Sequence, residues 1–395
     1  MISVRQAKKI IAKHSTLLAN VTVHLSKAAG RTLAEAIYSS VDIPAFNQSS
    51  VDGFAFNFSG YKKFDSLNII DKIPAGYNKK IAISENEAVR IFTGAPIPIG
   101  ADTVVMQEKT LIKNNFLFIT DKDIKPGTSF RKQGAEIKKG KLAIQQGTLL
   151  TPAAIGFLAG IGIKELSIYP SPIISVIITG NELQTPGKSL MPGQVYESNS
   201  IALIAALKNA GVDDIKVFFV KDDLAKLTAT LKKTLEISDM VLLTGGVSVG
   251  DYDFVVKAAE NCKVEKLFHK VKQKPGKPLF FGRKNNIPVF GLPGNPSSVL
   301  SCFYHFVLLS LGKMTGRKCE MKEMNVVIAS SINKTLGLTH FLKGVYDGSK
   351  AKVLNAQESF RMASFANANC LIEVDEKQTS LKAGDIAKIY LLPDC

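Results

Sequence analysis

The chain has 395 residues, 46% of them hydrophobic and 21% charged, which excludes wholesale disorder and predicts roughly two to four packed units. Fifty Lys and Arg against 34 Asp and Glu leave a net charge of +16, a surplus that favours an anionic partner. The basic residues are scattered and no aromatic-interleaved basic block occurs, so among nucleic acid, anionic lipid and a phosphorylated small molecule, nucleic acid is the weaker fit. Five cysteines without C-x-x-C spacing argue for a reducing compartment and against a disulfide framework or zinc site. Met1 to Gln6 lacks the apolar core of a signal peptide, and Leu149 to Ile163 is too short and too broken to span a membrane. A soluble cytoplasmic protein is expected.

Apolar positions at Val4, Ala7, Ile10 and Ile11, with Ser3 as cap, predict a short amphipathic helix over 3–14. A second helical pattern runs from Leu25 to Ile37. From about 45 to 139 the rhythm changes to short β-rich runs, such as Thr103–Met106 and Phe116–Ile119, separated by turn clusters such as Lys113-Asn114-Asn115. Thr151 to Gly160 reads as helix again. Between 170 and 315, strands at Ile173–Ile178, Lys216–Val220 and Met240–Leu243 alternate with helices at Ser200–Ala210, Leu224–Ile237 and Phe254–Asn261. Strands at Phe280-Phe281 and Pro288–Phe290 and a long apolar helix, Ser297–Leu311, complete it. This alternation predicts a doubly wound parallel sheet in an α/β multidomain protein. After 319 short strands return, at Val326–Ala329 and Ala387–Leu392, as a small β-barrel or sandwich.

Ligands of an open parallel sheet sit beyond the carboxyl ends of its strands. Three glycine-rich loops leave that edge: Thr179-Gly180-Asn181-Glu182-Leu183, Thr244 to Asp253 through Gly245, Gly246 and Ser248, and Gly291 to Ser298 through Pro293 and Pro296. Each alone could be a tight strand-to-helix turn; three on one edge predict one anion-binding crevice. Walker and dinucleotide motifs are absent. Carboxylates gather nearby, at Glu182, Asp222, Asp223, Asp251 and Asp253, and hard oxygen donors of this kind suit Mg²⁺. Asp222-Asp223 also reads as a cap for the helix starting at Leu224. Lys272 to Pro278, held extended by two prolines and a glycine, brings Lys274 and Lys277 towards an oxyanion or forms a solvated turn. One rival motif stands out. Gly246-Val247-Ser248-Val249-Gly250 fits a serine-hydrolase nucleophile elbow, with Asp253 and His269, His305 or His340 as paper partners.

In chain order these segments resemble the MoeA/gephyrin family of molybdopterin molybdenumtransferases. The resemblance rests on Ile43 to Ala55, Thr93 to Pro98 with Gly100 to Val105, and the loops at Thr179, Thr244, Lys274 and Pro293. It implies four units. A helical N-terminal and dimerising region spans 1–44 and 140–169, and a β-rich insertion spans 45–139. A molybdopterin-binding α/β unit spans 170–318, and a C-terminal β-barrel spans 319–395. It also implies a homodimer whose cleft joins the α/β unit of one subunit to the insertion of its partner. The implied reaction places molybdenum from molybdate on the dithiolene of adenylylated molybdopterin and releases AMP with Mg²⁺. Transient contact with the adenylyltransferase that makes this substrate is implied as well.

By position, Asp52, Thr93, Glu136, Glu182, Asp222, Asp253, Pro293 and Pro296 fall on family functional residues, with Glu182 and Asp253 as metal ligands. Thr179, Gly180, Gly245, Gly246 and Ser248 fall on its substrate loops. Lys274, Lys277, Ser298 and Lys343 fall on its molybdate pocket. The chain departs from the family pattern in several places. Asn181 and Glu136 stand where Asp is usual, Phe54 and Phe254 where Tyr is usual, Lys343 where Arg is usual, and Glu358 where Gly is usual. A scaffold of the gephyrin type without catalysis is the alternative within the family.

Overall fold

The computed structural model describes residues 1–78, 80–246 and 254–393. The first helix, Val4–His14, opens on a capping box: Gln6 N–H donates to Ser3 Oγ (3.2 Å) and Ser3 N–H to Gln6 Oε1 (2.9 Å). Its Ala7 and Ile11 are buried against the helical segment that begins at Pro296. The helix expected over Leu25–Ile37 does not form. Only a 3₁₀ turn, Leu25–Lys27, precedes Gly30 at φ +74°, and the chain then turns extended. Thr32–Leu33 and Val21–His24 flank Glu165–Tyr169 in a three-stranded antiparallel sheet. The apolar spacing that suggested a helix instead places Leu25, Ala28 and Leu33 on a core shared with Leu150, Leu158 and Ile161. Local periodicity lost to tertiary pairing. The helix Pro152–Gly160 forms as expected, its Thr151 hydroxyl accepting from Ala154 N–H (3.2 Å).

Within 45–139 a six-stranded sheet runs in the order Thr103–Met106, Gly53–Phe56, Glu87–Ile91, Leu67–Ile73, Phe116–Ile119, Thr110–Lys113. Its last hairpin closes on Asn114 and Asn115 at φ +49° and +66°, the two left-handed residues that a tight two-residue turn requires.

The α/β unit holds a six-stranded sheet in the order Ile215–Val220, Ile174–Thr179, Met240–Thr244, Ile287–Leu292, Phe280–Lys284, Glu265–His269. The first four strands are parallel; the last two are antiparallel, so the sheet is mixed. The departure has a plain cause. Only Asn285 and Asn286 separate Lys284 from Ile287, and a parallel crossover needs a dozen or more residues. Helices Asn199–Asn209 and Pro296–Cys302 pack on one face, Leu224–Ile237 and Phe254–Asn261 on the other. The chain leaves Ile174–Thr179 to one side and returns on the other, which puts the topological switch point between Thr179 and Thr244.

The long helix expected from Ser297 runs Pro296–Thr315, with a π-helical turn at Phe303–Val307. It is long and apolar enough to cross a membrane, but 72% of its most apolar window is buried in the protein, where it supplies core. Beyond it, Lys322–Ile328, Thr339–Tyr346, Lys350–Val353, Cys370–Val374 and Ile386–Leu391 close into a five-stranded barrel around Ile328, Ala351, Ile372 and Ile389. Gln273–Lys274 pairs in parallel with Thr339–His340, which ties the start of the basic loop to the barrel.

Candidate functional site

A cleft of about 900 Å³ opens at the switch point, between the carboxyl edge of the sheet and the barrel. Thr179, Gly180, Glu182, Asp222, Gly245, Gly246, Lys274, Lys277, Pro293, Pro296 and Ser298 all line it. The three loops are tied together at close range. Thr244 Oγ1 donates to the Pro293 carbonyl (3.0 Å), and Asn199 Nδ2 donates to both Thr244 Oγ1 (3.1 Å) and the Gly294 carbonyl (2.8 Å). Gly245, at φ +89°, approaches Thr179 so closely that a Cβ there would lie 2.3 Å from the Thr179 carbonyl oxygen.

The acidic pair Asp222-Asp223 divides its work. Asp223 caps the helix, accepting from Lys226 N–H (3.0 Å), and this bond holds its carboxyl below the usual range. Asp222 instead faces the cleft and accepts from Asn181 N–H (3.2 Å), while Asn181 Oδ1 accepts from Asp222 N–H (3.3 Å). Lys274 and Lys277 are the only cationic side chains of the lining among the described residues. Between them Gly276, at φ +85°, packs against Cys302, and the buried Gln273 donates from Nε2 to the Gly276 carbonyl (3.0 Å). The loop is therefore built from behind.

The helix N-terminus at Pro296 offers less than its sequence suggests. Ser297 N–H donates to the Ser359 carbonyl (3.1 Å), and Ser298 and Val299 N–H both donate to the Asn295 carbonyl (3.0 Å). These three amides are engaged within the chain, so anion contact here falls on side chains and the helix dipole.

Several predicted residues lie elsewhere. Asp52 accepts from both the N–H and the hydroxyl of Thr93 (2.8 Å each), which holds its carboxyl below the usual range. No described residue of 45–139 lines the cleft. Glu136 is exposed and apart from it as well. Lys343 is buried and outside the lining; its ammonium group meets the carbonyls of Ala356, Arg361 and Glu358. Ser248, Asp251 and Asp253 lie outside the described residues. No histidine lines the cleft among the described residues. His305 is wholly buried, its ring stacked on Phe341 at 3.7 Å, and burial and nearby lysines push His340 down to about 4. Neither is equipped as the base of a hydrolase.

Asn199, Gln273, Asn295, Gln357 and Ser359 also line the cleft and were not singled out from sequence. Asn295 sat within a recognised motif. Gln357 and Ser359 carried no local signal, because only the fold brings the barrel over the sheet edge.

A switch-point crevice lined by carboxylates and lysines together is the kind of site at which an open α/β sheet takes a small molecule. Family models fit consecutive parts of the chain: MoeA N-terminal region (domain I and II) over residues 2–162, probable molybdopterin binding domain over 175–313, and MoeA C-terminal region (domain IV) over 325–392. The molybdopterin molybdenumtransferase of Haemophilus influenzae is 32% identical over 375 residues, covering 93% of this chain and 92% of its own. That of a Nostoc species is 34% identical over 388 residues, covering 94% and 88%. A solved structure of the molybdopterin biosynthesis MoeA protein from Pyrococcus horikosii superposes with a TM-score of 0.85 at 29% identity, over 99% of both chains. The chain belongs to the MoeA family of molybdenum cofactor biosynthesis.

Proposed function

We propose that this chain is a cytoplasmic molybdopterin molybdenumtransferase that takes adenylylated molybdopterin and molybdate, places molybdenum on the dithiolene and releases AMP. The observation that carries the reading is one cleft whose lining combines the carboxylates Glu182 and Asp222 with the lysines Lys274 and Lys277. Cleaving a phosphoanhydride needs charge neutralised and groups aligned more than it needs a protein nucleophile. The loops at Thr179 and Gly245 hold the phosphates and pterin at the switch point. The lysines hold molybdate against the dithiolene end.

Glu182 and Asp222 are oxygen donors with no histidine beside them in the lining, and no cluster of three metal-ligating side chains occurs, among the described residues; Mg²⁺ there would take water and substrate phosphate as its other ligands. Held by Glu182 and Asp222, Mg²⁺ would neutralise charge on the phosphoanhydride. Asp253, the second expected ligand, lies outside the described residues. The direct test is incubation with adenylylated molybdopterin, Mg²⁺ and molybdate, following AMP release and reconstitution of an apo-molybdoenzyme. AMP release with and without molybdate at the same rate, and no reconstitution, would sink the reading.

The position of Asp52 and Thr93 outside their own chain's cleft supports a homodimer, joined through 1–44 and 140–169, in which they complete the partner's site. Mixed dimers of Asp52→Ala and Asp253→Ala chains, each inactive alone, are expected to recover activity at one of their two sites. Heterodimers that form yet stay inactive would refute the shared site. The adenylyltransferase that supplies the substrate is the expected transient partner.

A further inference from the structure

Lys343 presents a counting problem. An ammonium group has three N–H donors. Lys343 Nζ reaches three backbone carbonyls, those of Ala356 (2.9 Å), Arg361 (3.0 Å) and Glu358 (3.4 Å). The residue is 2% exposed, and burial draws its ammonium below the usual lysine range. No donor remains for a ligand, and the side chain is not in the cleft wall.

What Lys343 does touch is in that wall. All three carbonyls belong to the segment 354–361, whose Gln357, Ser359 and Phe360 line the cleft. Gln357 is locked to the same strand residue: its Oε1 accepts from Lys343 N–H (2.9 Å) and its Nε2 donates to the Lys343 carbonyl (2.9 Å). Ala356 takes φ +60°, a left-handed conformation that needs outside support in a residue with a Cβ. Its carbonyl receives that support from Lys343 and from Ser364 Oγ (2.7 Å). At the far end, Ser359 accepts from Asn295 Nδ2 at its hydroxyl (2.8 Å) and from Ser297 N–H at its carbonyl (3.1 Å).

We propose that Lys343 is a positioning residue: its buried ammonium group folds the 354–361 segment of the barrel into the wall of the cleft, and Gln357 and Ser359 are thereby held against the bound oxyanion. The second half of this statement rests on the cleft being the molybdate site.

The test compares the full-length protein with Lys343→Met and Lys343→Arg, by hydrogen exchange and by molybdate titration of AMP release. Amides of 354–361 in Lys343→Met are expected to exchange at least about tenfold faster, with Cys370–Val374 still protected. Half-maximal AMP release should need on the order of ten- to a hundredfold more molybdate, the cost of a slightly misplaced wall. Lys343→Arg, which keeps the charge and the donors, should restore most of both. A raised molybdate requirement with unchanged exchange would make Lys343 a direct ligand and overturn the proposal. A loosened segment with an unchanged requirement would overturn it equally. Should Lys343→Met fail to fold, Ser364→Ala frees the same Ala356 carbonyl from outside the cleft, and exchange and requirement must again rise together. If the wild type shows no molybdate-dependent release, the functional reading falls, while exchange still decides whether Lys343 orders the segment.

Discussion

Lys274→Ala and Lys277→Ala are each expected to raise the molybdate concentration for half-maximal AMP release roughly ten- to a hundredfold, the loss of one charge-assisted contact worth about 1.5–3 kcal/mol. Molybdate is a dianion, and its desolvation must be offset by positive charge and directed donors. Two features of the site concentrate that demand on these two side chains. Lys343 is spent on backbone carbonyls, and the Ser297, Ser298 and Val299 amides at the helix N-terminus are spent within the chain. Lys274 and Lys277 are the remaining cations of the described lining, with the neighbouring Ser298 hydroxyl as a further donor. Affinity for adenylylated molybdopterin should fall much less, because in the proposed site its phosphate and pterin would rest on the loops at Thr179 and Gly245. A binding titration of the adenylylated pterin beside the molybdate titration separates the two. Equal losses in both would mean that the lysines serve the nucleotide phosphate, and the assignment of the oxyanion pocket would fall.

How much of this was legible in sequence follows from what each residue depends on. The loops at Thr179, Gly245 and Pro293 and the lysine pair were visible because strand, glycine-rich turn and helix are local events, and the switch-point rule then brings them together. The hairpin at Asn114-Asn115 was legible for the same reason. The expected helix over Leu25–Ile37 failed because Leu33 N–H finds the Thr148 carbonyl (2.9 Å) and Ala34 N–H the Ser167 carbonyl (2.9 Å), partners more than a hundred residues away. The placing of Lys343 was equally hidden. A lysine at that position of a strand reads as a cation available to an anion until the segment 354–361 folds over it. Resemblance carried its position and not its orientation. Gln357 and Ser359 enter the site through the same non-local step.

Gly245→Ala is expected to lower kcat/KM for AMP release by about a hundredfold or more in a chain that still folds. Two separate costs meet at this position. At φ +89° any side chain is strained, by roughly 1–2 kcal/mol. The second cost is the larger. An added Cβ would lie 2.3 Å from the Thr179 carbonyl oxygen and 2.7 Å from its hydroxyl, so one of the two loops has to move. Those loops flank the switch point and line the cleft with Glu182 and Asp222, so in the proposed site their separation would set where a phosphate meets the carboxylates. A shift approaching an ångström there is enough to misalign the reacting groups. Gly147→Ala separates the two costs. Gly147 has nearly the same backbone strain, at φ +81°, but an added Cβ meets nothing within 4 Å, and it lies outside the cleft. Gly147→Ala should therefore lower Tm slightly and leave kcat/KM unchanged. Thermal unfolding and AMP-release kinetics on the two variants decide the matter. Near-normal activity in Gly245→Ala, or matching losses in both variants, would show that the close approach of Gly245 to Thr179 does not set the geometry of the site.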